Sequence, residues 1–282
     1  MPQTTIDLLN KGMQANRADP LRRGNLIHLA AQGSLVVGGD IHGHRRNLER
    51  LIAYSDLAGH PDRHVVLQEI IHGGPEDEAG GCLSYQLLFD AVRYKLDFPD
   101  RVHFVMGNHD TACIVNSEVM KGGKEMNRAM SAALDREFCA AGPDVKLAIR
   151  QFLFSQPLAV RCANRIWISH SLPSDHFAER FDPAIFDREL RIADCEKPGS
   201  AYLLTWGRRH SQATVSKMAR QLDVDLFVLG HQPQADGWRQ VGENVLILAC
   251  DHNHGRFLPI DLAKSYTITD LATSLVPLAA IE

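Results

Sequence analysis

Short apolar runs of strand length alternate with segments of helical periodicity along most of the chain. The run 34–39 (SLVVGG) is followed by a segment in which Leu48, Leu51, Ile52 and Leu57 recur on one helical face. Such alternation predicts an α/β fold in which helices cover paired strands. The predicted strands are 34–39, 64–68, 101–106, 158–163, 165–169, 225–229, 244–249 and 256–261.

The chain of 282 residues contains no internal repeat and no Pro- or Ser-rich linker. We therefore expect one domain, 1–282, although the length alone would also allow two. Its parts are predicted as an N-terminal extension over 1–33, a core over about 34–262, a helical insertion over about 111–157, an amphipathic helix over 211–222 and a C-terminal tail over about 265–282.

Charge and cysteine usage exclude several classes of protein. The 30 Lys and Arg against 34 Asp and Glu leave a net charge of −4, which argues against nucleic acid or an anionic membrane surface as the main partner. No apolar run approaches the roughly 18 residues of a membrane span. The six cysteines occur singly, without a CxxC pair, which favours reduced thiols and a cytoplasmic protein.

Polar side chains follow five of the predicted strands directly. They are Asp40 and His42, Glu69, Asn108 and His109, His170, and His231. The carboxyl ends of strands in an open sheet border one crevice, so these side chains are expected to converge. Mixed carboxylate, amide and imidazole ligands favour Mn, Fe or Zn over Ca or Mg. The pattern predicts two divalent metal ions that activate water for displacement at phosphorus.

Two of these strand ends carry recognisable motifs. Residues 39–43 read GDIHG and residues 107–110 read GNHD, preceded by Tyr94-Lys95 and Phe98-Pro99. Later segments read SHSLP around His170 and HQ at His231, with 236–238 (DGW) downstream. Together they resemble the calcineurin-like metallophosphoesterases, and within them the serine/threonine phosphoprotein phosphatase branch, over about 35–260.

This resemblance implies a four-layer αββα sandwich around a dinuclear metal centre, with Mn favoured and Fe or Zn as alternatives. It assigns the metal ligands as Asp40, His42, Glu69, Asn108, His170 and His231. His109 would not bind metal but would protonate the leaving oxygen as general acid. Asp110, which completes the same motif, counts with His109 among the catalytic residues.

The second family motif, GDxxDRG, is altered in this chain. Residues 68–74 read QEIIHGG, so Glu69 keeps the carboxylate with one extra methylene, and Gly73 stands where the family has a phosphate-binding Arg. His72 takes the place of the Asp that orients the catalytic His, as a substitute partner, an extra ligand or a structural residue. An alternative register gives the ligand role to Glu76 or Asp77, and we prefer Glu69 because it directly follows an apolar strand.

The charge that develops on a phosphate oxygen still requires cationic donors. Arg208 is the first choice, because the resembling branch carries an Arg in this neighbourhood, and Arg209 is the reserve. Arg45 and Arg46 follow GDIHGH closely enough to serve as well. Asp251, His252 and His254, after the strand at 244–249, are further candidates for the rim of the site.

These observations predict a metal-dependent phosphoesterase that hydrolyses phosphomonoesters with a metal-activated hydroxide. The resemblance favours phosphoserine or phosphothreonine protein as the phosphorylated substrate, and a small phosphoester is the alternative. Two other readings stay open. One is a dinucleoside polyphosphate hydrolase or phosphodiesterase, and the other is a non-catalytic binding protein that has lost activity with its second motif. The native metal and the oligomeric state are not predicted.

Overall fold

The computed structural model describes all 282 residues as two packed sheets with helices outside them. The strands are β1 (Arg22–Arg23), β2 (Leu26–Leu29), β3 (Ser34–Asp40), β4 (Arg63–Gln68), β5 (Val102–Val105), β6 (Met120–Lys121), β7 (Lys124–Glu125), β8 (Ala159–Cys162), β9 (Ile166–Ser169), β10 (Leu226–Leu229), β11 (Trp238–Val241), β12 (Val245–Leu248), β13 (Arg256–Asp261) and β14 (Val276–Pro277). The α-helices are α1 (Pro2–Arg17), α2 (Arg45–Ser55), α3 (Ser84–Asp97), α4 (Asn108–Ile114), α5 (Met126–Phe138), α6 (Gly142–Phe154), α7 (Ile192–Cys195), α8 (Ser200–Trp206), α9 (Gln212–Leu222) and α10 (Ile268–Thr273). Short 3-10 helices lie at Cys139–Ala141, Asp175–Arg180, Pro183–Phe186 and Leu278–Ala280.

One sheet has seven strands in the order β1-β2-β8-β9-β10-β12-β11, and the other has five in the order β14-β13-β3-β4-β5. Strands β3, β4 and β5 are parallel to one another, as are β9, β10 and β12. Their carboxyl ends therefore meet at common edges. A single β-bridge between Asp40 and Ala249 joins the two sheets at this point.

Alternation along the strands produces the layers, because successive side chains point to opposite faces. In β10, Leu226 and Val228 belong to the apolar cluster between the sheets, whereas Phe227 and Leu229 belong to the cluster that includes the helices. Strands β3, β9 and β12 divide their side chains in the same way. The architecture is the predicted four-layer αββα sandwich.

Three segments contain structure that the sequence analysis did not predict. In the N-terminal extension, β2 pairs in parallel with β8 and extends the seven-stranded sheet. The helical insertion contains the hairpin β6–β7, whose turn residues Gly122 and Gly123 have φ of 59° and 79°. The C-terminal tail contains α10 and β14, with Leu271 and Leu278 fully buried. β2, α10 and β14 form because segments distant in the sequence pair with them or cover them, which local patterns do not reveal, whereas β6–β7 is a local hairpin with an exposed turn.

All six cysteines are free thiols, and five of them are buried. No helix combines the length and the apolar character that a bilayer crossing requires.

Candidate metal centre

The six predicted metal ligands converge where the two sheets meet. They are Asp40 at the end of β3, His42 two residues later, Glu69 after β4, Asn108 at the start of α4, His170 after β9 and His231 near the end of β10. All six are buried, none more than 8% exposed. The parallel strands therefore bring these groups together from distant parts of the chain.

Glu69 lies at the middle of the cluster. Its Oε2 atom is 3.9 Å from His42 Nε2, 3.9 Å from His170 Nε2 and 4.0 Å from His109 Nε2. Asp40 Oδ2 is 3.8 Å from the same His42 Nε2 atom. One carboxylate thus faces three imidazoles, an arrangement suited to a shared cation.

Asn108 ties the remaining ligands together. Its Oδ1 atom lies 2.9 Å from His170 Nε2 and 2.7 Å from His231 Nδ1. His170 Nδ1 is also 3.6 Å from Asp40 Oδ1. The backbone N–H of His231 donates to both carboxylate oxygens of Asp40, at 2.9 and 3.0 Å. The amide, two imidazoles and a carboxylate form the second half of the cluster.

The backbone at three ligands adopts the left-handed region. His42, Glu69 and His231 have φ of 45°, 44° and 69°, a conformation that costs a non-glycine residue about 1–3 kcal/mol. Surrounding bonds maintain it, including the one that the His42 N–H donates to the Glu69 carbonyl at 2.7 Å. Such strain is typical of sites where side-chain direction matters more than local stability.

Two glycines allow the carboxylates to approach the backbone. A Cβ atom at Gly107 would overlap the Glu69 carboxylate, and one at Gly230 would overlap Asp40 Oδ1. The Glu69 carboxylate also accepts a hydrogen bond from the backbone N–H of His109 at 3.1 Å. The glycines in the GNHD and GHQ segments are therefore required by close packing against the ligands.

The protonation preferences fit a cation site. Burial raises the pKa of Asp40 to about 7 and raises the pKa of Glu69 well above its ordinary value. Burial lowers the pKa of His42 to about 4 and keeps the pKa values of His170 and His231 well below the usual range. The imidazoles are thus neutral and able to ligate.

The donor set fits divalent cations. Neither Asp40 nor Glu69 forms an ion pair with a lysine or arginine, so both buried carboxylates lack a permanent cationic partner. His231 Nε2 is buried without a hydrogen bond. His42, Glu69 and His109 form the tightest group, with potential ligand atoms all within 4.8 Å of one another. His109 thus lies within the group although the resemblance excludes it as a ligand.

His72 lies directly behind His109. The Nδ1 atoms of the two rings are 2.9 Å apart, and the N–H of His72 donates to Ser84 Oγ at 2.8 Å. Burial lowers the pKa of His72 to about 3 and shifts the pKa of His109 in the same direction. Both rings are therefore neutral, and one donates its Nδ1 proton to the other.

Asp110 turns away from this pair. Its Oδ2 atom accepts a hydrogen bond from the Gly107 N–H at 2.9 Å, at the N-terminus of α4. Burial raises its pKa to about 7. The contact positions the turn that carries Asn108 and His109.

Arg208 is the predicted arginine that lies near the carboxylates. Loss of hydration lowers the pKa of its guanidinium, while the charges of Asp40 and Glu69 raise it. Its backbone N–H donates a hydrogen bond to Ser174 Oγ at 3.0 Å, and its side chain remains exposed. A guanidinium cation thus borders the cluster.

The other predicted arginines lie elsewhere. Arg45 pairs with Asp90 at 2.7 Å, between α2 and α3. The side chain of Arg209 is exposed, and its carbonyl accepts a bond from the Asp175 N–H at 3.0 Å. Arg46 is exposed on α2. The structure brings none of these guanidinium groups into contact with the ligand cluster.

The acidic insertion is also outside the cluster. Glu76 pairs with Lys124 at 2.7 Å, and Asp77 pairs with Arg136 at 2.6 Å. The structure therefore brings Glu69 to the ligand cluster and holds both alternatives in ion pairs.

The loop after β12 lies at the rim. Asp251 pairs with Lys121 at 2.9 Å, and His252 Nε2 lies 2.8 Å from the Gln234 carbonyl. Asn47 Nδ2 donates to the carbonyls of Cys250 and His252, which fixes this loop against α2. His254 is exposed.

Comparison with known families decides the identity. The family model for calcineurin-like phosphoesterases matches residues 34–235, well over half of the chain. The chain belongs to the calcineurin-like phosphoesterase family. It is a metal-dependent hydrolase of phosphoric ester bonds. A search of curated proteins finds no match.

Solved structures agree with this phosphoesterase in fold. A protein serine/threonine phosphatase from Saccharomyces cerevisiae, with similarity to human phosphatase PP5, superposes with a TM-score of 0.70 at 14% identity, covering 99% of this chain and 93% of that one. The cold-active protein-tyrosine phosphatase of a psychrophilic Shewanella species superposes with a TM-score of 0.55 at 17% identity, covering 84% and 77%. At these identities the likeness establishes the fold.

Three residues at or beside the ligand cluster of this phosphoesterase were not identified from the sequence. Gln68 Oε1 lies 3.4 Å from His170 Nδ1, and Ser84 supports the backbone of His72. Lys121 reaches the rim from the insertion. Only Gln68 carried a signal, as a buried polar residue that ends a strand.

Proposed function

We propose that this phosphoesterase hydrolyses phosphomonoesters on protein, phosphoserine and phosphothreonine foremost. The observation that carries the proposal is the position of His109, whose Nε2 atom lies 4.0 Å from Glu69 Oε2 inside the ligand cluster. A proton carried at this atom is available to a leaving oxygen beside the metal ligands.

Two divalent ions, Mn foremost and Fe or Zn as alternatives, would polarise a phosphoryl oxygen and lower the pKa of a bound water. Asp40, His42 and Glu69 would hold one side of the centre, and Asn108, His170 and His231 the other. Burial of all six ligands excludes bulk water from the space between them.

Three other side chains would position the general acid or bind the phosphoryl oxygens. His72 holds Nδ1 of His109, which leaves Nε2 directed toward the cluster. Arg208, near Asp40 and Glu69, offers its guanidinium to the phosphoryl oxygens. Asp110 holds the turn in place through Gly107.

The substrate class is supported by the motifs and the relatives. The segment ahead of GNHD resembles the serine/threonine branch, and the yeast serine/threonine phosphatase is similar over nearly the whole chain. The relatives described as tyrosine phosphatases cover 83–84% of it. Phosphotyrosine is therefore the competing outcome of the substrate test.

The test uses metal-stripped protein titrated with Mn²⁺, Zn²⁺ and Mg²⁺. Turnover is followed on p-nitrophenyl phosphate and on matched phosphoserine, phosphothreonine and phosphotyrosine peptides. We expect metal-restored turnover and a loss of kcat of about 10²–10⁴-fold for His109→Gln. The loss should be larger on phosphoserine, because an alkoxide requires protonation more than nitrophenolate does. His60→Gln, ahead of the start of β4, is the matched control.

Bound metal without phosphomonoester turnover would contradict the proposal and favour a phosphodiesterase or a nucleotide hydrolase. Absence of both bound metal and turnover would favour the non-catalytic binding protein. Equal losses on alkyl and nitrophenyl substrates would remove His109 from the role of acid.

A further inference from the structure

Besides the metal ions that it would hold, the candidate centre has one arginine available to a phosphate group. A transferring phosphoryl group spreads negative charge over three oxygens, which charge-assisted donors must meet. Gly73 supplies no side chain, and Arg208 is the only predicted arginine that the structure brings near the carboxylates. A second donor from elsewhere in the chain would complete the site.

Lys121 lies at the rim of the ligand cluster. Its Nζ atom is 2.9 Å from Asp251 Oδ2. Asp251 directly follows Cys250, whose backbone N–H donates to the carbonyl of Asp40 at 2.9 Å. The ammonium group is therefore paired with the residue that follows Cys250, and Cys250 is hydrogen-bonded to the predicted metal ligand Asp40.

The other end of the same hairpin contacts the acidic loop that follows the altered second motif. Lys124 pairs with Glu76 at 2.7 Å and donates to the Gly80 carbonyl. Gly73 and Gly74, which precede this loop, pack so closely on His42 and Gly43 that no Cβ atom would fit. The hairpin β6–β7 therefore contacts both the loop after β12 at the rim and the acidic loop that follows the altered motif.

The charge of Lys121 acts on part of the cluster. Burial is the largest influence on the pKa values of Asp40, Glu69 and His42, and Lys121 lowers all three, as a nearby cation does. It also contributes to the lowered pKa of His109, after burial and the neighbouring histidines. Arg208 also lowers the pKa of Asp40, and it contributes to the lowered pKa values of His170 and His231.

The lysine is also accessible. Its side chain is 33% exposed, and that of Asp251 is 20% exposed. A Cβ atom on either Gly122 or Gly123 would meet nothing within 4 Å, so the adjoining turn is surrounded by open space. An ammonium on a four-carbon stem has the reach to adjust to a ligand that enters beside it.

We propose that Lys121 is a substrate-binding residue, whose ammonium group binds a non-bridging oxygen of the phosphate together with Arg208 and replaces the cationic side chain that Gly73 lacks. Asp251 holds the ammonium at the rim when no phosphate is present. The assignment rests on the proposed phosphomonoesterase function, and it makes the inserted hairpin part of the substrate site.

The experiment measures inorganic phosphate on the metal-loaded protein in two ways: as a competitive inhibitor of p-nitrophenyl phosphate turnover, and directly by isothermal titration calorimetry. The variants are Lys121→Gln and Lys121→Arg. The control is Arg128→Gln, which removes one positive charge from an 82%-exposed side chain at the start of α5. Metal content and the unfolding temperature are recorded for each protein.

We expect Lys121→Gln to weaken phosphate binding by about 10- to 100-fold, the loss of one hydrogen bond to a charged group. Lys121→Arg should retain most of the affinity, and Arg128→Gln should match the unmodified protein. Metal content should be equal in all four proteins. Unchanged phosphate affinity in Lys121→Gln, or an equal loss in Arg128→Gln, overturns the assignment.

The two proposals fail in different ways. If the unmodified protein binds phosphate but hydrolyses no monoester, the proposed function fails and the calorimetric comparison still decides Lys121. If the unmodified protein turns over substrate and Lys121→Gln binds phosphate equally well, only the assignment of Lys121 fails. If no metal-loaded form binds phosphate, the assignment of Lys121 is wrong, and turnover alone decides the proposed function.

Discussion

The Nδ1 atoms of His72 and His109 lie 2.9 Å apart in a buried pocket behind the metal ligands. Two neutral imidazoles can share only one proton across such a contact. The contact makes one ring the donor and the other the acceptor. The proposed role of His109 as general acid requires the N–H at Nδ1 of His72 and a second N–H at Nε2 of His109.

Replacing His72 tests whether it positions His109. His72→Asn places an amide donor where the Nδ1 atom was and tolerates the left-handed backbone at this residue, φ 69°. We expect it to keep most of kcat, whereas His72→Ala should lower kcat roughly tenfold, near the low end of what removing a residue that supports a functional side chain costs. Steady-state kinetics should show the loss in kcat with little change in KM. A loss in His72→Asn equal to that in His72→Ala would contradict the positioning role.

Replacing Glu69 distinguishes the two registers of the second motif. Glu69→Gln removes a carboxylate that faces three imidazoles. Metal affinity should therefore fall by about 100-fold or more, which exceeds the loss caused by removing a residue that only supports a ligand. Glu76→Gln, which removes only the partner of Lys124, should leave metal affinity unchanged. Metal analysis after dialysis against graded chelator measures both. The reverse result would establish the alternative register.

Gly107→Ala should reduce metal content. The backbone there is ordinary, with φ −108°, but the new methyl group would overlap the Glu69 carboxylate. Gly242→Ala is the control, because it strains a turn residue with φ 59° at the opposite end of β12. That variant should lose about 1–2 kcal/mol of stability and retain its metal. Equal metal content in both variants would show that Glu69 is not held by this contact.

A buried chain of titratable side chains links the N-terminal segment to the core. Asp19 Oδ2 lies 3.1 Å from Lys95 Nζ and 3.0 Å from His103 Nδ1, and His103 Nε2 lies 3.1 Å from His64 Nδ1. Burial raises the pKa of Asp19, but the bond and charge of His103 and the charge of Lys95 outweigh it and lower the pKa to about 2.

This depressed pKa predicts how stability depends on pH. A carboxyl group with a folded pKa below its unfolded value stabilises the protein above about pH 4, and the contribution is lost as the pH falls toward 2. A shift of this size corresponds to about 2 kcal/mol. Asp19→Asn should therefore be less stable by at least that amount at pH 7, since Lys95 also loses its partner.

Denaturant unfolding of both proteins at pH 7, 5, 4 and 3 measures the difference. Protonation of His64, whose pKa burial lowers to about 4, destabilises both proteins over the acidic range, and it destabilises the variant more, because the charge of Asp19 raises that pKa. The difference in the free energy of unfolding between the two proteins should narrow below pH 4. A gap that stays constant with pH would show that Asp19 is not ionised in the folded protein.

The predictions made from sequence rested on local patterns, and the fold class and the phosphoesterase family are confirmed. Alternating apolar residues dictated the strands, and the glycine-rich motifs dictated the turns that follow them. Asp40, Glu69 and Asn108 could be placed at one crevice because parallel strands end together. The roles of the site residues stay predictions until the experiments above are done.

Contacts between distant segments could not be predicted in this way. Sequence left three roles open for His72, and only the packing of α4 against its loop brings it to His109. Arg45 follows the first motif closely, yet α2 directs it to Asp90, whereas Lys121 arrives from an insertion that looked wholly helical. Local patterns determine strands, turns and strand-end ligands because their causes lie within a few residues. Which further side chains reach those ligands depends on how the layers pack, and that the tertiary structure alone decides.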